Sequence, residues 1–386
     1  MLGFKNIKIY LEGQGLVKTS IGVENGLIKA IGDDLDVEEY AKFNEEVVLV
    51  PGFIDQHIHG AMGSDAMDGT IEALATIAKG VAKEGTTAFL ATTMTQSVAN
   101  ISKALSNVKE YIDAAPFEGA KVLGVHLEGP FISETHVGAQ PLEYVQKPSV
   151  DNFKIYEEAS GQTIKLVTLA PEVEGADELI AYLAQKGIVP SIGHTNAGYN
   201  DVLAAVKCGA HNVTHTYNAQ KALHHREVGT VGSAFLFDEL NCELICDTIH
   251  VSVPAIKLCI KNKPHDKVTL ITDALRAKGL TDGVYDLGGQ EVYVKGGEAR
   301  LASGTLAGSV LLMNQAIKNV VEKCGVSFTD AIDMATINPA KNLGLAAERG
   351  SIKVGKVADM VVLNQDFECL LTIRDGRIIY KKEGVR

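Results

Sequence analysis

Apolar residues recur at helical spacing through the middle of the chain. Ile71, Leu74, Ala75, Ala78, Val81 and Ala82 share one face, and Gly85 follows as a stop signal. A short apolar run, "TTAFLATT", comes next and reads as a strand. The order of helix, glycine and strand returns in "ELIAYLAQKG" with "IVPSIGHT", and again in "DVLAAVKCG" with "AHNVTHTYN". This alternation predicts a parallel sheet covered by helices. Eight strands can be picked out: "VVLVPGFID", "TTAFLATT", "KVLGVHLEG", "KLVTLAP", "IVPSIGHT", "HNVTHTY", "ELICDTIH" and "VTLITDA". Eight strands over about 300 residues predict a (β/α)8 barrel.

The two ends follow a different pattern. "IKIYLEG" and "SIGVENGLIKAIG" read as short strands, with Asn25-Gly26 as a hairpin turn. Residues 350–386 repeat this style around Asp375-Gly376. The expected organisation is an α/β chain in two parts. Residues 1–50 and 347–386 would form a composite β-sandwich domain, and residues 51–346 a catalytic barrel.

Composition narrows the class. The chain has 386 residues, 46% of them hydrophobic, enough for one large barrel and an accessory domain. A net charge of −12 without a Lys/Arg stripe argues against nucleic acid as a partner. No apolar stretch approaches the roughly 18–20 residues that span a bilayer, so no membrane partner is expected. "MLGFKNIKIY" lacks a basic region followed by a long apolar run, so no signal peptide is expected either. Six cysteines without a CxxC pair read as reduced thiols of a cytoplasmic protein. "GSIKVGKV" falls short of a phosphate-binding loop, because Val357 stands where Ser or Thr would hold magnesium.

Chemistry collects at the strand ends, where barrels carry their active sites. Asp55, His57 and His59 close the first strand, and His126 and Glu128 the third. His194, His215, His250 and Asp273 close the fifth to eighth in turn. His57 and His59 are two apart, so in extended chain they point the same way and can share a cation. His211 has the parity of His215 but lies four residues earlier, roughly 13 Å down the strand, and reads as structural. His126 is expected behind the ligands more than among them. His136 and His265 read as loop residues. Imidazoles with one carboxylate suit zinc or iron. Two cations are plausible, one on His57 and His59 and one on His194 and His215, with Glu128 between them. The fourth strand ends "TLAPE", with no lysine at its mouth to bridge.

"PGFIDQHIHG", "VLGVHLEGPF", "SIGHT", "HNVTHTYNAQ" and "LITDA" together resemble the amidohydrolase superfamily and, within it, its sugar-phosphate deacetylases. The resemblance covers essentially the whole chain. It implies hydrolysis of N-acetyl-D-glucosamine 6-phosphate to glucosamine 6-phosphate and acetate, by metal-activated water. It makes Glu128, His194 and His215 the common metal ligands. His57 and His59 match a pair found in two-metal members, where others have Gln-x-Asn and one metal. The divalent metal would be zinc or iron, one or two per subunit. Asp273 matches the catalytic acid/base. Ala139, Gln140, Asn218, Ala219, Arg226, His250 and the stretch Leu306, Ala307 and Gly308 match substrate-binding positions. Some members have a histidine where this chain has Gln140, which cannot carry charge. Arg226 in such enzymes reaches the phosphate in the neighbouring subunit, which implies a homodimer. The alternatives are another amide or cyclic-amide hydrolase of the superfamily, and a non-catalytic scaffold.

Overall fold

A computed structural model describes all residues, 1–386. Its centre is an eight-stranded parallel sheet, labelled here β1 (Phe53–Ile58), β2 (Thr86–Thr92), β3 (Lys121–Glu128), β4 (Ile164–Leu169), β5 (Val189–Ile192), β6 (Asn212–Val213), β7 (Asn241–Ile245) and β8 (Val268–Ile271). Each strand pairs with its sequence neighbour. The ring closes beyond the last strand, where Ile58 and Ala274 form a parallel bridge and His59 N–H donates to the Ala274 carbonyl. Helices alternate with the strands, so both faces of each strand are covered and its residues are almost all buried.

The helix α1 (Ile71–Ala82) shows how the periodicity is used. Thr70 caps it by accepting from Ala73 N–H, and Leu74, Ile77, Ala78 and Val81 are its buried face. Burying a Leu or Ile side chain contributes about 1.5–3 kcal/mol, so this stripe fixes the helix against the barrel. The helix stops at Ala82, and the chain turns back through Gly85 at φ 94°. A side chain at Gly85 would lie 2.7 Å from the Phe53 ring, so both the turn and the close approach need glycine here.

The termini meet in a second eight-stranded sheet. Its order is Arg377–Lys381, Cys369–Arg374, Met360–Asn364, Val47–Pro51, Leu2–Leu11, Gly15–Glu24 and Leu27–Gly32, with Glu38–Glu39 beside Leu2–Leu11. This sheet has its own core, with Phe4, Ile9, Ile21, Leu49, Val362 and Leu371 at its centre. Asn25-Gly26 and Asp375-Gly376 are both hairpin turns with positive φ at each residue. The sequence run "VVLVPGFID" is not one strand. Val47–Pro51 belongs to the terminal sheet, and the barrel begins after Gly52. Both halves are apolar because both are buried on two faces, so hydrophobicity alone cannot show the division.

One element has no counterpart in the sequence reading. After β8 the chain forms a three-stranded antiparallel sheet, Gly283–Leu287, Gln290–Lys295 and Glu298–Leu301, joined by Gly288-Gly289 and Gly296-Gly297. It packs on Met94, Leu275 and Ala277 at the C-terminal mouth of the barrel.

Candidate metal centre

The C-terminal ends of the barrel strands bring together the ionisable residues expected there. Glu128 closes β3. His194, His215 and Asp273 each stand two residues beyond the end of β5, β6 and β8. All three have left-handed backbone, at φ 48°, 28° and 48°. Non-glycine residues seldom adopt it, and such strain gathers at functional sites. Here it turns each chain end so that the side chain joins the others.

Glu128 is the hub. Its Oε1 lies 3.1 Å from His215 Nε2, 3.2 Å from His194 Nε2 and 3.4 Å from His57 Nε2. Its Oε2 lies 3.2 Å from His59 Nε2. Asp273 Oδ1 lies 3.3 Å from His57 Nε2 and 3.2 Å from His59 Nε2. Two groups could therefore hold a metal: His57, His59 and Glu128, and Glu128, His194 and His215.

These residues fit divalent cations. The Nε2 atoms of His194 and His215 are 3.1 Å apart, and buried His57 Nε2 has no hydrogen-bond partner. A zinc ion bound at about 2.0–2.1 Å in tetrahedral geometry would set its ligand atoms roughly 3.3 Å from one another. The observed spacings match that, and a cation would satisfy the nitrogen left unpaired. All the donors are N and O atoms.

Electrostatics point the same way. Burial alone would raise Glu128, but the surrounding histidines hold it well below the usual carboxylate range. Asp273 is likewise lowered by His57 and His59 against the effect of burial. Burial pushes His59 down, yet hydrogen bonds and charge from Asp273 and Glu128 outweigh it and raise the ring to about 10. His126 behaves oppositely: burial, then the neighbouring His57, push it well below the usual histidine value. It packs edge-on to His57 and bonds Thr168 Oγ1 at 2.7 Å, behind the cluster.

A cavity of about 210 Å³ opens over the cluster. Ala139, Gln140, Asn218, Ala219, His250, Leu306 and Gly308 line it, together with His59, Glu128, His194, His215 and Asp273. Ala307 is buried beside it. Gln140 is held at both ends of its amide: Nε2 donates to Glu128 Oε2 at 2.7 Å, and Oε1 accepts from Thr95 N–H at 2.7 Å. It therefore fixes the Glu128 carboxylate as well as facing the cavity. Arg226 does not line the cavity. It is exposed, with Nη1 2.8 Å from His225 Nε2. His211 bonds the Gly209 carbonyl at the far end of β6, and His265 pairs with Asp330 on the surface.

Three further contributors were not foreseen. Asp247 Oδ2 lies 2.6 Å from His250 Nδ1, and its Oδ1 accepts from the Ile249 and His250 N–H groups. It presents the His250 ring to the cavity. His136 contributes its backbone, the carbonyl lying 3.1 Å from His194 Nδ1. Leu287, from the sheet inserted after β8, forms part of the cavity wall. The doubled glycines of "LGGQEVYVKGGEA" were the available signal for that sheet.

Comparison with known proteins agrees with this geometry. The model of the amidohydrolase family matches residues 48–379. The N-acetylglucosamine-6-phosphate deacetylase of Bacillus subtilis (strain 168) is 43% identical over 381 residues, covering 97% of this chain and 96% of that one. The crystal structure of the deacetylase of the same name from Pasteurella multocida superposes with a TM-score of 0.92 at 30% identity, over 98% of this chain and 99% of that one. A variant of the Mycobacterium smegmatis enzyme, solved in complex with N-acetyl-D-glucosamine-6-phosphate, gives 0.91 at 28% identity, again over 98% and 99%. Matched over nearly its whole length in sequence and in fold, the chain belongs to the amidohydrolase family and, within it, to the N-acetylglucosamine-6-phosphate deacetylases.

Proposed function

We propose that the chain removes the acetyl group of N-acetyl-D-glucosamine 6-phosphate by hydrolysis, giving glucosamine 6-phosphate and acetate. The observation that carries this reading is Asp273. Its carboxylate stands beside the first-strand histidines and lines the same cavity as His250. When bound, a divalent cation supplies a water that ionises near neutral pH, and positive charge for the developing oxyanion.

The chain's own groups do the rest. Asp273 takes the proton of the attacking water as oxygen adds to the acetyl carbonyl. It then returns that proton to the nitrogen as the C–N bond breaks, so one carboxylate serves as base and then as acid. His250, held through Nδ1 by Asp247, turns Nε2 to the cavity, and in the doubly protonated form that the Asp247 carboxylate favours that nitrogen would donate to the carbonyl oxygen. Glu128, His194 and His215 would hold one cation and His57 and His59 a second, with Glu128 shared, as zinc or iron. Asn218, Ala219 and the backbone near Gly308 would orient the sugar.

The phosphate needs a cation from elsewhere, because Arg226 does not line its own cavity. We place Arg226 in the site of a second copy, making the working unit a homodimer. Leu223, three residues before Arg226, and Leu236, at the end of the helix Gly229–Leu236 that follows, are exposed at 53% and 61% and suit cover by a partner. The six unpaired thiols suit a reducing, cytoplasmic setting.

The test is acetate release from phosphorylated and free N-acetylglucosamine, using metal-stripped protein refilled with zinc or iron. Release that needs metal and strongly favours the phosphorylated sugar is expected. Metal-independent release, or equal rates on both sugars, would sink this reading.

A further inference from the structure

Behind the metal ligands lies a carboxylate that the mechanism above leaves unused. Glu243, in the middle of β7, is fully buried inside the barrel. Its Oε1 accepts from Gln56 Nε2 at 2.6 Å and from Asn212 Nδ2 at 3.0 Å. Its Oε2 accepts from the His215 N–H at 3.2 Å and faces His57 Nδ1 at 3.3 Å. Gln56 is itself fixed, since its Oε1 accepts from Asn342 Nδ2 at 3.1 Å.

The first three partners of Glu243 are obligate donors, so both oxygens are acceptors. His57 must then donate its Nδ1 proton. A neutral imidazole with that proton keeps its lone pair on Nε2. His57 Nε2 is buried without a hydrogen-bond partner, and it faces Glu128 and Asp273. The other ligands have weaker backing. His194 Nδ1 meets a backbone carbonyl, and the Nδ1 atoms of His59 and His215 have no partner.

We infer that Glu243 is a positioning residue for the His57/His59 metal position, fixing the tautomer and ring direction of His57 and adding a buried negative charge behind it. This rests on the two-cation reading above. Partners of this kind change metal affinity by about 10–100-fold when lost. The position formed by Glu128, His194 and His215 contacts Glu243 only through one backbone N–H, and its ligand nitrogens do not touch it.

Zinc-loaded wild-type and Glu243→Gln proteins, equilibrated against graded chelator and read by elemental analysis, test the assignment. The wild type should hold two zinc ions per subunit. The variant should keep one at unchanged affinity and bind the other about 10–100-fold more weakly. Two ions at unchanged affinity in the variant would overturn the role of Glu243 and leave the two-cation reading standing. One ion in the wild type would overturn both. A second measurement needs no variant. Nitrogen NMR of histidine-labelled zinc protein should show the His57 ring protonated at Nδ1, and protonation at Nε2 overturns the assignment even if Glu243→Gln does not fold.

Discussion

Asp273, His194 and His215 sit in a backbone conformation that costs an L-residue about 1–3 kcal/mol, and in each case two residues beyond a strand. The barrel supplies the rigidity that holds them there. If Asp273 transfers the proton as proposed, Asp273→Asn should leave the fold intact and the histidines able to take up metal. Its kcat should fall by about 10²–10⁴. Metal content and kcat measured on one preparation check this, and near-normal kcat would remove Asp273 from its role. Asp247 acts one step back. Asp247→Ala should lower kcat by about tenfold or more while KM changes little, since a loosely held His250 is a poorer donor to the oxyanion. A rise in KM with unchanged kcat would instead make Asp247 part of sugar binding. The clustering of Glu128 with the four histidines was legible because strand parity and strand ends are one-dimensional properties. The sequence could not show Asp247, Glu243 or the double tethering of Gln140, because those roles depend on which strand lies opposite which.

At the scale of elements, the barrel strands and both terminal hairpins were legible. Alternation of helix, glycine and strand, and the Asn-Gly and Asp-Gly turns, are local signals. The inserted sheet at Gly283–Leu301 carried a local signal too, in its doubled glycines, but no helices alternate with its strands as they do in the barrel. Packing between distant elements left no such trace. Glu84, just after α1, forms a buried ion pair with Lys278 beyond β8, with Oε1 to Nζ at 2.5 Å, and Glu84 Oε2 accepts from Met313 N–H. Burial pushes the Glu84 carboxyl up to about 7, against the pull of Lys278. Its ordinary value is 4.5, so between these limits the folded chain binds the extra proton. The contribution of Glu84 to stability therefore declines as pH rises through that window. Lys278→Met removes the counter-ion and should raise the carboxyl further. Denaturant unfolding should show a loss of about 3–5 kcal/mol at pH 8, where the folded variant must either bury an unpaired charge or take up a proton that the unfolded chain releases. The loss should be smaller at pH 5, where the carboxyl is protonated. A loss that is equal at both pH values would mean that Lys278 matters for packing alone.

At the scale of the whole molecule, one chain supplies the clustered histidines and carboxylates and a cavity over them, but no arginine in that cavity. Sequence pattern alone offers no measure of this, because an exposed loop arginine looks the same whether it faces solvent or a partner. Two variants distinguish the cases. Asp273→Asn removes the chemistry from a subunit's own site. Arg226→Ala, if the arginine crosses the interface, damages the neighbour's site instead. Each variant alone should be weakly active, the second through a raised KM for the phosphorylated sugar. In a mixed dimer, the subunit with intact Asp273 would receive Arg226 from its Asp273→Asn partner, so one site is complete. Mixed dimers isolated with two different tags should therefore recover about half of the wild-type activity per dimer, with a wild-type KM. If Arg226 served its own subunit, each site in the mixed dimer would lack one of the two residues and the low KM would not return. Monomers at assay concentration, with wild-type KM, would likewise refute an arginine supplied across the interface.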